Sequence, residues 1–454
     1  MVLGSKKVDA TKGSLIPLII TFVIPLVLTT LIQRLFNAVD IAVLGNMADT
    51  TAVAAVGATG TIVGLMVDTF VGISSGAKIV FSRLFGKNDE NEIKRTVDTS
   101  VLVAIGFGLI IALGGFLFAP GFLDLTDCPE ECFDGAMLYI RIYIMSAPAI
   151  LVYNYGAAVL TSSGDSRRPL YYAMISGLLN VALNILLCLV LTQKVAAVAI
   201  ATAASQVLAA TLTVLRLRKL GGNMRLRIRG MRFNFHAFTQ LMRFGVPLAL
   251  QTLVYPLANI QIAAGINSYG VACVAGNSAA NTMHQITASF RVAFGTAIAT
   301  FMGQNLGAEK PERVRASLFH CIWMCLALCL PLSFLEWYLG PLWLQIFLGQ
   351  DAVATSYAMI RVTLMNAFII FLLMNTLLGH AIQALGYPIF STVNAVAWVL
   401  GFRYFWMSVI YPMYTSYASL IYCFGVSYVL TFICNVVIFA VLYVRYRRGK
   451  YKRI

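Results

Sequence analysis

Charged residues are scarce in this 454-residue chain. Only 11% of its residues are Asp, Glu, Lys or Arg, and 59% are hydrophobic, whereas soluble globular chains carry about 25% charged residues. This composition excludes an ordinary soluble domain. Because a bilayer core needs about 20 apolar residues per helix, the apolar runs predict twelve transmembrane helices. They lie near 15–44, 53–83, 95–120, 135–160, 169–191, 196–217, 240–266, 274–305, 314–338, 353–383, 388–411 and 416–445.

Acidic residues are fewer than basic ones, 18 against 33, which gives a net charge of +15. The placement of the basic residues argues against nucleic-acid binding, because nearly all that lie outside the helices fall on alternate loops and at the two ends. The loops of the other side hold a single base, Lys194. By the positive-inside rule, both termini and the basic segment 218–236 are predicted to be cytoplasmic. Arg34, Lys78 and Arg291 fall within predicted helices, and the sequence leaves their roles open.

Enzyme and cofactor motifs are also missing. The sequence has no Walker motif, and its four histidines are scattered without metal-ligand spacing. We therefore expect neither an enzyme nor an ATP-driven pump, no cofactor and no resident metal, which leaves an ion gradient as the natural energy source. The outer-loop pair Cys128 and Cys132 leaves a disulfide open.

The chain contains an internal repeat. Pro25-Leu-Val-Leu-Thr-Thr-Leu pairs with Pro247-Leu-Ala-Leu-Gln-Thr-Leu, and Asn37 pairs with Asn259. We expect an all-α membrane protein with an N-lobe of six helices over 1–217, a basic linker over 218–236 and a C-lobe of six helices over 237–454. Parallel repeats predict a pseudo-twofold axis along the membrane normal and a substrate cavity between two bundles. This arrangement favours a transporter over a channel.

Acids within the predicted helices are few, and Asp40 and Asp68 are the clear cases. An ionised carboxylate is costly in the hydrocarbon region, so such a group tends to be protonated, cation-bound or paired. A carboxylate for which a proton, a sodium ion and a substrate cation compete can couple transport to an ion gradient. Asp40 is the predicted coupling residue and Asp68 the candidate second acid, the alternative for each being a structural bond to a neighbouring helix.

Asp40 has polar residues on its own helix face and on two later helices. Gln33, Asn37 and Asp40 share one face of the first helix, and Asn180 and Asn184 lie one turn apart on the fifth. Thr202 lies on the sixth helix at a similar depth. Carboxylate, amide and hydroxyl oxygens suit sodium or a proton-bearing network, although a single intramembrane Asn often only joins two helices.

The second half lacks helix acids except Glu336, near the outer rim. We therefore expect its polar side chains to line the substrate cavity instead. The candidate cavity residues from both halves are Gln33, Asn37, Asn154, Asn277, Asn281 and Gln285. The aromatic run Phe402, Tyr404, Phe405 and Trp406 would suit organic cations if it faced that cavity, and would carry no meaning if it faced lipid.

Several segments in order carry a family resemblance. They are 31–45, Ala54-Ala-Val-Gly57, Gly72-Ile-Ser-Ser-Gly76, Tyr153-Asn154, Gly164-Asp-Ser-Arg-Arg-Pro169 and Phe301-Met-Gly-Gln-Asn-Leu-Gly-Ala308. Along its whole length the chain resembles the multidrug and toxic compound extrusion (MATE) family of cation antiporters, and within it the prokaryotic branch with an N-lobe cation site. The resemblance implies two six-helix lobes around a V-shaped cavity, and efflux driven by sodium or protons.

Carried over by position, the resemblance implies a coupling site made of Asp40, Asn180, Asn184 and Thr202, with H⁺ or Na⁺ as the ion. Members of this branch often have Asp where this chain has Asn184. The missing negative charge leaves Asp40 as the main titrating group and favours a proton. The acid that another branch carries in helix 7 is absent, and Tyr255 lies near that place.

Taken together, these observations predict a monomeric secondary exporter of the bacterial cytoplasmic (inner) membrane. Its cargo would be organic cations or amphipathic drugs or metabolites, and its only other partner the lipid bilayer. A flippase of lipid-linked precursors with a basic cavity is the first alternative, for which Lys78, Arg34 and Arg291 would supply charge. A receptor or scaffold is the second alternative.

Overall fold

The computed structural model describes residues 7–48, 50–124, 129–221, 225–227 and 229–449. The side chains of Asn37, Ile41 and Thr50 lie outside the described part as well, and so does Cys128, the proposed disulfide partner of Cys132. Within the described ranges the chain is helical and contains no strand. The structure confirms the predicted class, an all-α protein built from membrane-length helices.

Seventeen α-helices follow one another in these ranges. They are α1 Leu15–Met47, α2 Thr50–Lys87, α3 Glu90–Asp124, α4 Glu130–Ile144, α5 Ala147–Ser162, α6 Arg167–Val190, α7 Lys194–Leu217, α8 Phe235–Asn267, α9 Val271–Gly307, α10 Pro311–Tyr338, α11 Gly340–Leu348, α12 Ala352–Ala367, α13 Ile369–Ala384, α14 Pro388–Ala395, α15 Phe402–Phe405, α16 Tyr411–Met413 and α17 Tyr417–Arg447. Two π-helical segments, Val396–Gly401 and Trp406–Ile410, join α14, α15 and α16 into one span, Pro388–Met413.

Ten helices in the described residues are long and apolar enough to cross a membrane, or up to twelve if each of two bent pairs is one span. The bent pairs are α4 with α5, at 45°, and α12 with α13, at 55°. They fall where the sequence predicts single helices over 135–160 and 353–383. The first bend has a local cause, because Pro148 has no N–H to donate to the carbonyl one turn before it. At the same bend, Ser146 donates its hydroxyl to the Tyr143 carbonyl across 2.6 Å.

By their internal contacts the described residues form two compact units. Unit 1 contains Ile24–Ala249 with the residues before Ala10, and unit 2 contains Ala10–Val23 with the chain from Leu250 onward. The boundaries between the units therefore fall within α1 and within α8. The lobes predicted over 1–217 and 237–454 are instead two continuous stretches of chain. Those lobe boundaries stay a prediction.

The segment before α1 is held through its backbone. In unit 1, the Val8 N–H donates to the Gly164 carbonyl across 3.1 Å. In unit 2, the Arg313 guanidinium donates to the carbonyls of Ala10, Lys12 and Gly13 at 2.9–3.3 Å. Lys310 Nζ donates to the Thr11 carbonyl across 2.9 Å. These bonds satisfy main-chain groups that precede the first helical turn.

Candidate functional site

The candidate ion site lies in unit 1, where α1, α6 and α7 meet. Asn184 Nδ2 donates to Asp40 Oδ1 across 2.6 Å, and Asn184 is fully buried. Asn180, one turn earlier on α6, is 5% exposed and so lies on the same buried face. Thr202 of α7 has its Oγ1 3.4 Å from Asn180 Nδ2. The structure thus brings together the four residues that the sequence assigns to ion coupling.

The Asn180 amide can face Asp40 with its oxygen or with its nitrogen, and the neighbouring acceptors favour the nitrogen. In the first orientation, its oxygen faces Asp40, and its Nδ2 donates to Thr202 Oγ1 across 3.4 Å. In the other, its nitrogen donates to Asp40 Oδ1 and Oδ2, at 2.5 and 3.3 Å. An ionised carboxylate only accepts hydrogen bonds, whereas a protonated one also donates. The first orientation therefore matches a protonated Asp40, and the second an ionised one.

The close approach of α1 to α6 depends on a glycine. A Cβ atom built on Gly177 would overlap the ring of Phe36. Because Gly177 has no side chain, Phe36 lies directly against α6. Phe36 lies one turn before Asp40 on α1, and Gly177 lies nearly one turn before Asn180 on α6. This contact sets the distance at which Asn180 and Asn184 reach the carboxylate.

A cavity of about 100 Å³ adjoins Asp40. It is lined by Gln33, Phe36, Asp40, Tyr153, Ala173, Ser176, Gly177, Asn180, Thr202, Ser205, Gln206 and Ala209. A water molecule takes about 30 Å³ of liquid volume, so the cavity has room for solvent or a partly hydrated ion beside the carboxylate. Tyr153 is a lining residue for which the sequence offered only a family motif and no role.

The donor set fits a hard monovalent cation as well as a proton. Its members are a carboxylate, two amides and a hydroxyl, and oxygen ligands of this kind bind hard cations. Asn184 Oδ1 is a buried acceptor with no hydrogen-bond partner in the described structure. Such an orphaned oxygen carries a desolvation cost unless something donates to it or binds it. Asn184 therefore donates to Asp40 through Nδ2 and presents its own Oδ1 as a further oxygen ligand beside the carboxylate.

The other predicted site residues are dispersed. Gln33 lines the Asp40 cavity, and the side chain of Asn37 lies outside the described structure. Asn154 turns back to its own helix and donates to the Ile150 carbonyl across 2.9 Å. Asp68 is half-buried on α2 and does not line this cavity. The cavity roles given to these residues stay predictions.

In unit 2 the predicted cavity residues lie along α9. Asn277 accepts a hydrogen bond from Arg361 Nη1 across 2.6 Å. Asn281 is exposed and Gln285 half-buried. Glu336 on α10 accepts from the Thr287 hydroxyl of α9 across 2.6 Å, which ties these two helices together. Arg291 donates to Thr376 Oγ1 across 2.5 Å, giving this base a bond to α13.

Sequence reasoning missed the environment of Arg403. This residue is 1% exposed, and Arg361 is 9% exposed. In the sequence Arg403 is a single base inside an apolar span, which is itself a signal because buried charges in membrane segments are rare and functional. Its partners lie on two other helices, so they could not be named from the sequence alone.

The comparisons with known proteins agree with this architecture. A family model described as MatE matches residues 25–186 and 247–407, one stretch in each half. The probable multidrug resistance protein YoeA of Bacillus subtilis (strain 168) is 25% identical over 352 residues, covering 76% of each chain. A protein of Shewanella oneidensis named as an FAD transporter is 26% identical over 278 residues, covering 59% of this chain and 60% of its own.

Among solved structures, the fold matches a MATE protein crystallised in the bent conformation. The TM-score is 0.87 at 17% sequence identity, and the match covers 97% of both chains. At this identity the likeness establishes the fold alone. Asp40, Asn180 and Asn184 lie within the first stretch of the family match, and Thr202 lies beyond its end.

Proposed function

Because this chain belongs to the MatE family of multidrug efflux transporters, we propose that it is a secondary active exporter that couples efflux to H⁺ or Na⁺ entry through Asp40. It works in a bacterial cytoplasmic membrane, as a monomer with both termini inside. The observation that carries the proposal is the contact of the Asp40 carboxylate with Asn184 and Asn180 at a three-helix junction. The flippase alternative draws no support from the comparisons.

The site links its ionic state to helix packing. When Asp40 is ionised, Asn184 Nδ2 and the Asn180 nitrogen both donate to it, which holds α1 against α6. When a proton binds, Asp40 donates to the Asn180 oxygen, and the Asn180 nitrogen turns to Thr202 on α7. One proton thus changes the hydrogen bonds among three helices. The protonation state of Asp40 thereby biases the angle of α1. Through that angle it biases the side of the membrane to which the cavity between the lobes opens.

A proton is the favoured coupling ion. Only one carboxylate offsets the desolvation of a bound cation here, because position 184 is an amide, and removing an ion from water is costly. A proton neutralises Asp40 covalently and needs no second charge. Sodium remains the second candidate, for which Asn180, Asn184 and Thr202 would supply oxygen ligands beside Asp40.

The proposed cargo is an organic cation or an amphipathic drug or metabolite. The multidrug name of the Bacillus relative supports this class, and the FAD name of the Shewanella relative extends it to amphipathic metabolites with an aromatic ring system. Gln33, Asn37, Asn154, Asn277, Asn281 and Gln285 are the proposed polar residues of the substrate path.

Transport in proteoliposomes tests the proposal. The purified protein is reconstituted, and efflux of a fluorescent organic cation is followed under a pH gradient alone and a sodium gradient alone. We expect one gradient, the proton gradient first, to drive efflux in the parent and neither to drive it in Asp40→Asn, because the amide keeps the shape and loses the titration. Asp68→Asn, at the candidate second acid, shows whether the loss is specific to Asp40. Full gradient-driven efflux in Asp40→Asn would refute coupling through this residue.

A further inference from the structure

Arg403 lies in the middle of the span Pro388–Met413, on the short helix α15 between the two π-helical segments. Its side chain is 1% exposed. Nη1 donates to Asn259 Oδ1 of α8 across 2.7 Å, and Nε and Nη2 both donate to Ser427 Oγ of α17 at 3.1 Å. The guanidinium carbon lies 4.5 Å from the ring centre of Phe424 and 5.6 Å from that of Tyr428. Three spans therefore meet at this one cation.

The same three helices of the repeat meet at the Asp40 site in unit 1. In the repeat Asn259 pairs with Asn37, so the unit 2 junction lies about one turn along these helices from the position of Asp40. Asn184 of α6 bonds Asp40 of α1, and Arg403 bonds Asn259 of α8, with the same sequence separation of 144 residues in each pair. The third helix supplies a hydroxyl in both units. Thr202 and Ser427 each donate to a carbonyl of their own helix, at 3.0 and 2.8 Å. Their lone pairs are thereby left to face the polar side chain of the neighbouring helix.

The two junctions differ in charge. In unit 1 an acid faces an amide, whereas in unit 2 an amide faces a guanidinium. None of the ion pairs in the described ranges includes Arg403. Its charge is offset instead by the oxygens of Asn259 and Ser427 and by two aromatic faces, which attract cations when desolvated. Oxygen acceptors with aromatic faces are what a binding site for an organic cation offers, and here the chain itself fills the site.

We propose that Arg403 is a tethered cation that permanently occupies the unit 2 junction of the three helices equivalent to those that form the Asp40 site. It acts as a positioning residue that holds α8, the span Pro388–Met413 and α17 together in an ion-bound arrangement. Unit 2 then exchanges no ion, and the cycle responds to the ion at Asp40 alone. This last consequence rests on the proposed function, whereas the occupancy of the junction by Arg403 does not.

Chemical rescue tests the occupancy. Arg403→Ala removes the guanidinium and leaves Asn259 Oδ1, Ser427 Oγ and the two rings in place. We expect the midpoint of thermal unfolding of the full chain in detergent to fall by several degrees. Millimolar guanidinium chloride should recover at least half of that loss in Arg403→Ala and recover nothing in the parent. Urea, a neutral molecule of nearly the same shape, should not stabilise the variant, and sodium chloride at equal ionic strength should not either.

Val399→Ala is the matched control. Val399 lies on the same span, is 1% exposed and packs against Val254 and Ala258 of α8. Its truncation leaves an apolar gap without oxygen acceptors, so guanidinium should not restabilise it. Equal stabilisation of Arg403→Ala by urea, or none by guanidinium, would overturn the proposal.

Two further variants keep the test decisive if Arg403→Ala fails to fold. Arg403→Lys keeps the charge and should retain more stability and efflux than Arg403→Gln, which keeps only a donor toward Asn259. Parent-like efflux and stability in Arg403→Gln would show that the fixed charge is not needed, and would refute the proposal.

The link to coupling has a separate readout. In a background of Glu336→Gln and Asp68→Asn, which removes two other half-buried helix acids, stabilisation by low pH or by sodium should disappear when Asp40→Asn is added, since Arg403 leaves unit 2 no ion to exchange. An ion-dependent stabilisation that persists after Asp40→Asn is added would overturn the single-site claim. If Asp40→Asn keeps gradient-driven efflux while guanidinium still rescues Arg403→Ala, the proposed function fails and the tethered cation stands. If guanidinium does not rescue Arg403→Ala while Asp40→Asn is uncoupled, the tethered cation is refuted and the proposed function stands.

Discussion

Asn184 donates from Nδ2 to Asp40 Oδ1 across 2.6 Å, while its own Oδ1 is buried without a hydrogen-bond partner in the described structure. One amide therefore stabilises the ionised carboxylate and also presents an oxygen to whatever binds beside it. A carboxylate at this position would lose the donor and add a charge. The choice of amide over acid at position 184 thus decides how well the site holds a metal cation relative to a proton.

Asn184→Asp should strengthen the response to sodium. Two carboxylates in a dry site repel each other, and a bound cation relieves that repulsion. We expect sodium to raise the thermal unfolding midpoint of Asn184→Asp more than that of the parent, with potassium as the control salt. Sodium-dependent efflux in the parent with no response to a pH gradient would instead show that Asn180, Asn184 and Thr202 bind sodium without the second charge.

Gly177→Ala should push α1 away from α6. The added Cβ overlaps the Phe36 ring, and overpacking of this kind costs about 1–3 kcal/mol of the free energy of unfolding. We expect a lower unfolding midpoint and reduced efflux, because Asn180 and Asn184 then meet Asp40 at a longer distance. The double variant Gly177→Ala with Phe36→Leu relieves the overlap and should recover part of both losses. Recovery of stability without any recovery of efflux would separate packing from coupling.

Gly164→Ala should destabilise the loop between α5 and α6. Gly164 has φ of +85°, and a Cβ atom there would overlap the Val8 carbonyl. The left-handed backbone conformation alone costs a residue with a side chain about 1–2 kcal/mol, and the overlap adds to it. The expected result is a lower unfolding midpoint in detergent, while Ser163→Ala, the neighbouring control, stays near the parent. An unchanged midpoint for Gly164→Ala would contradict the strain at this turn.

Topology is testable by cysteine labelling. Arg227→Cys lies in the basic linker and Glu131→Cys at the start of α4, and both native side chains are exposed. With both termini cytoplasmic, a membrane-impermeant thiol reagent should label Glu131→Cys in intact cells and Arg227→Cys only after permeabilisation. The unmodified parent gives the background of the native thiols. Labelling of Arg227→Cys from outside would reverse the predicted orientation.

The sequence grouped Asp40 with Asn180, Asn184 and Thr202 through helix patterns and a family resemblance, and their role in ion coupling stays a prediction. Asn180 and Asn184 lie one turn apart, and an ionisable residue in an apolar helix is conspicuous. The environment of Arg403 was not predicted, because neither a helix pattern nor the family resemblance linked Arg403 to Asn259 or Ser427. A side-chain amide in a helix can bond its own backbone, as Asn154 does here, so the sequence alone cannot decide whether it lines a cavity, and that role stays a prediction.

The bends in two spans have different kinds of cause, one local in the sequence and one a contact with another helix. Pro148 marks the first break in the sequence itself. The second break falls at Phe368, between α12 and α13, with no proline or glycine at that position. In the structure the Phe368 ring lies against Gly425 of α17, where a Cβ atom would overlap it. A bend at such a contact depends on a neighbouring helix, so the apolar run alone predicted one continuous helix over 353–383.

The bonds that hold residues 8–13 have a consequence for how this segment can evolve. Arg313 and Lys310 donate to main-chain carbonyls, and Val8 is held through its own N–H. Main-chain groups are the same in every residue, so these bonds do not depend on which side chain stands at the exposed position Lys12. A one-residue insertion or deletion would instead move every carbonyl out of register with Arg313. Selection on this segment therefore acts on its length, on exclusion of proline at positions 8 and 10, whose N–H groups donate to Gly164 and Gln304, and on small or apolar residues at the buried positions Val8 and Ala10.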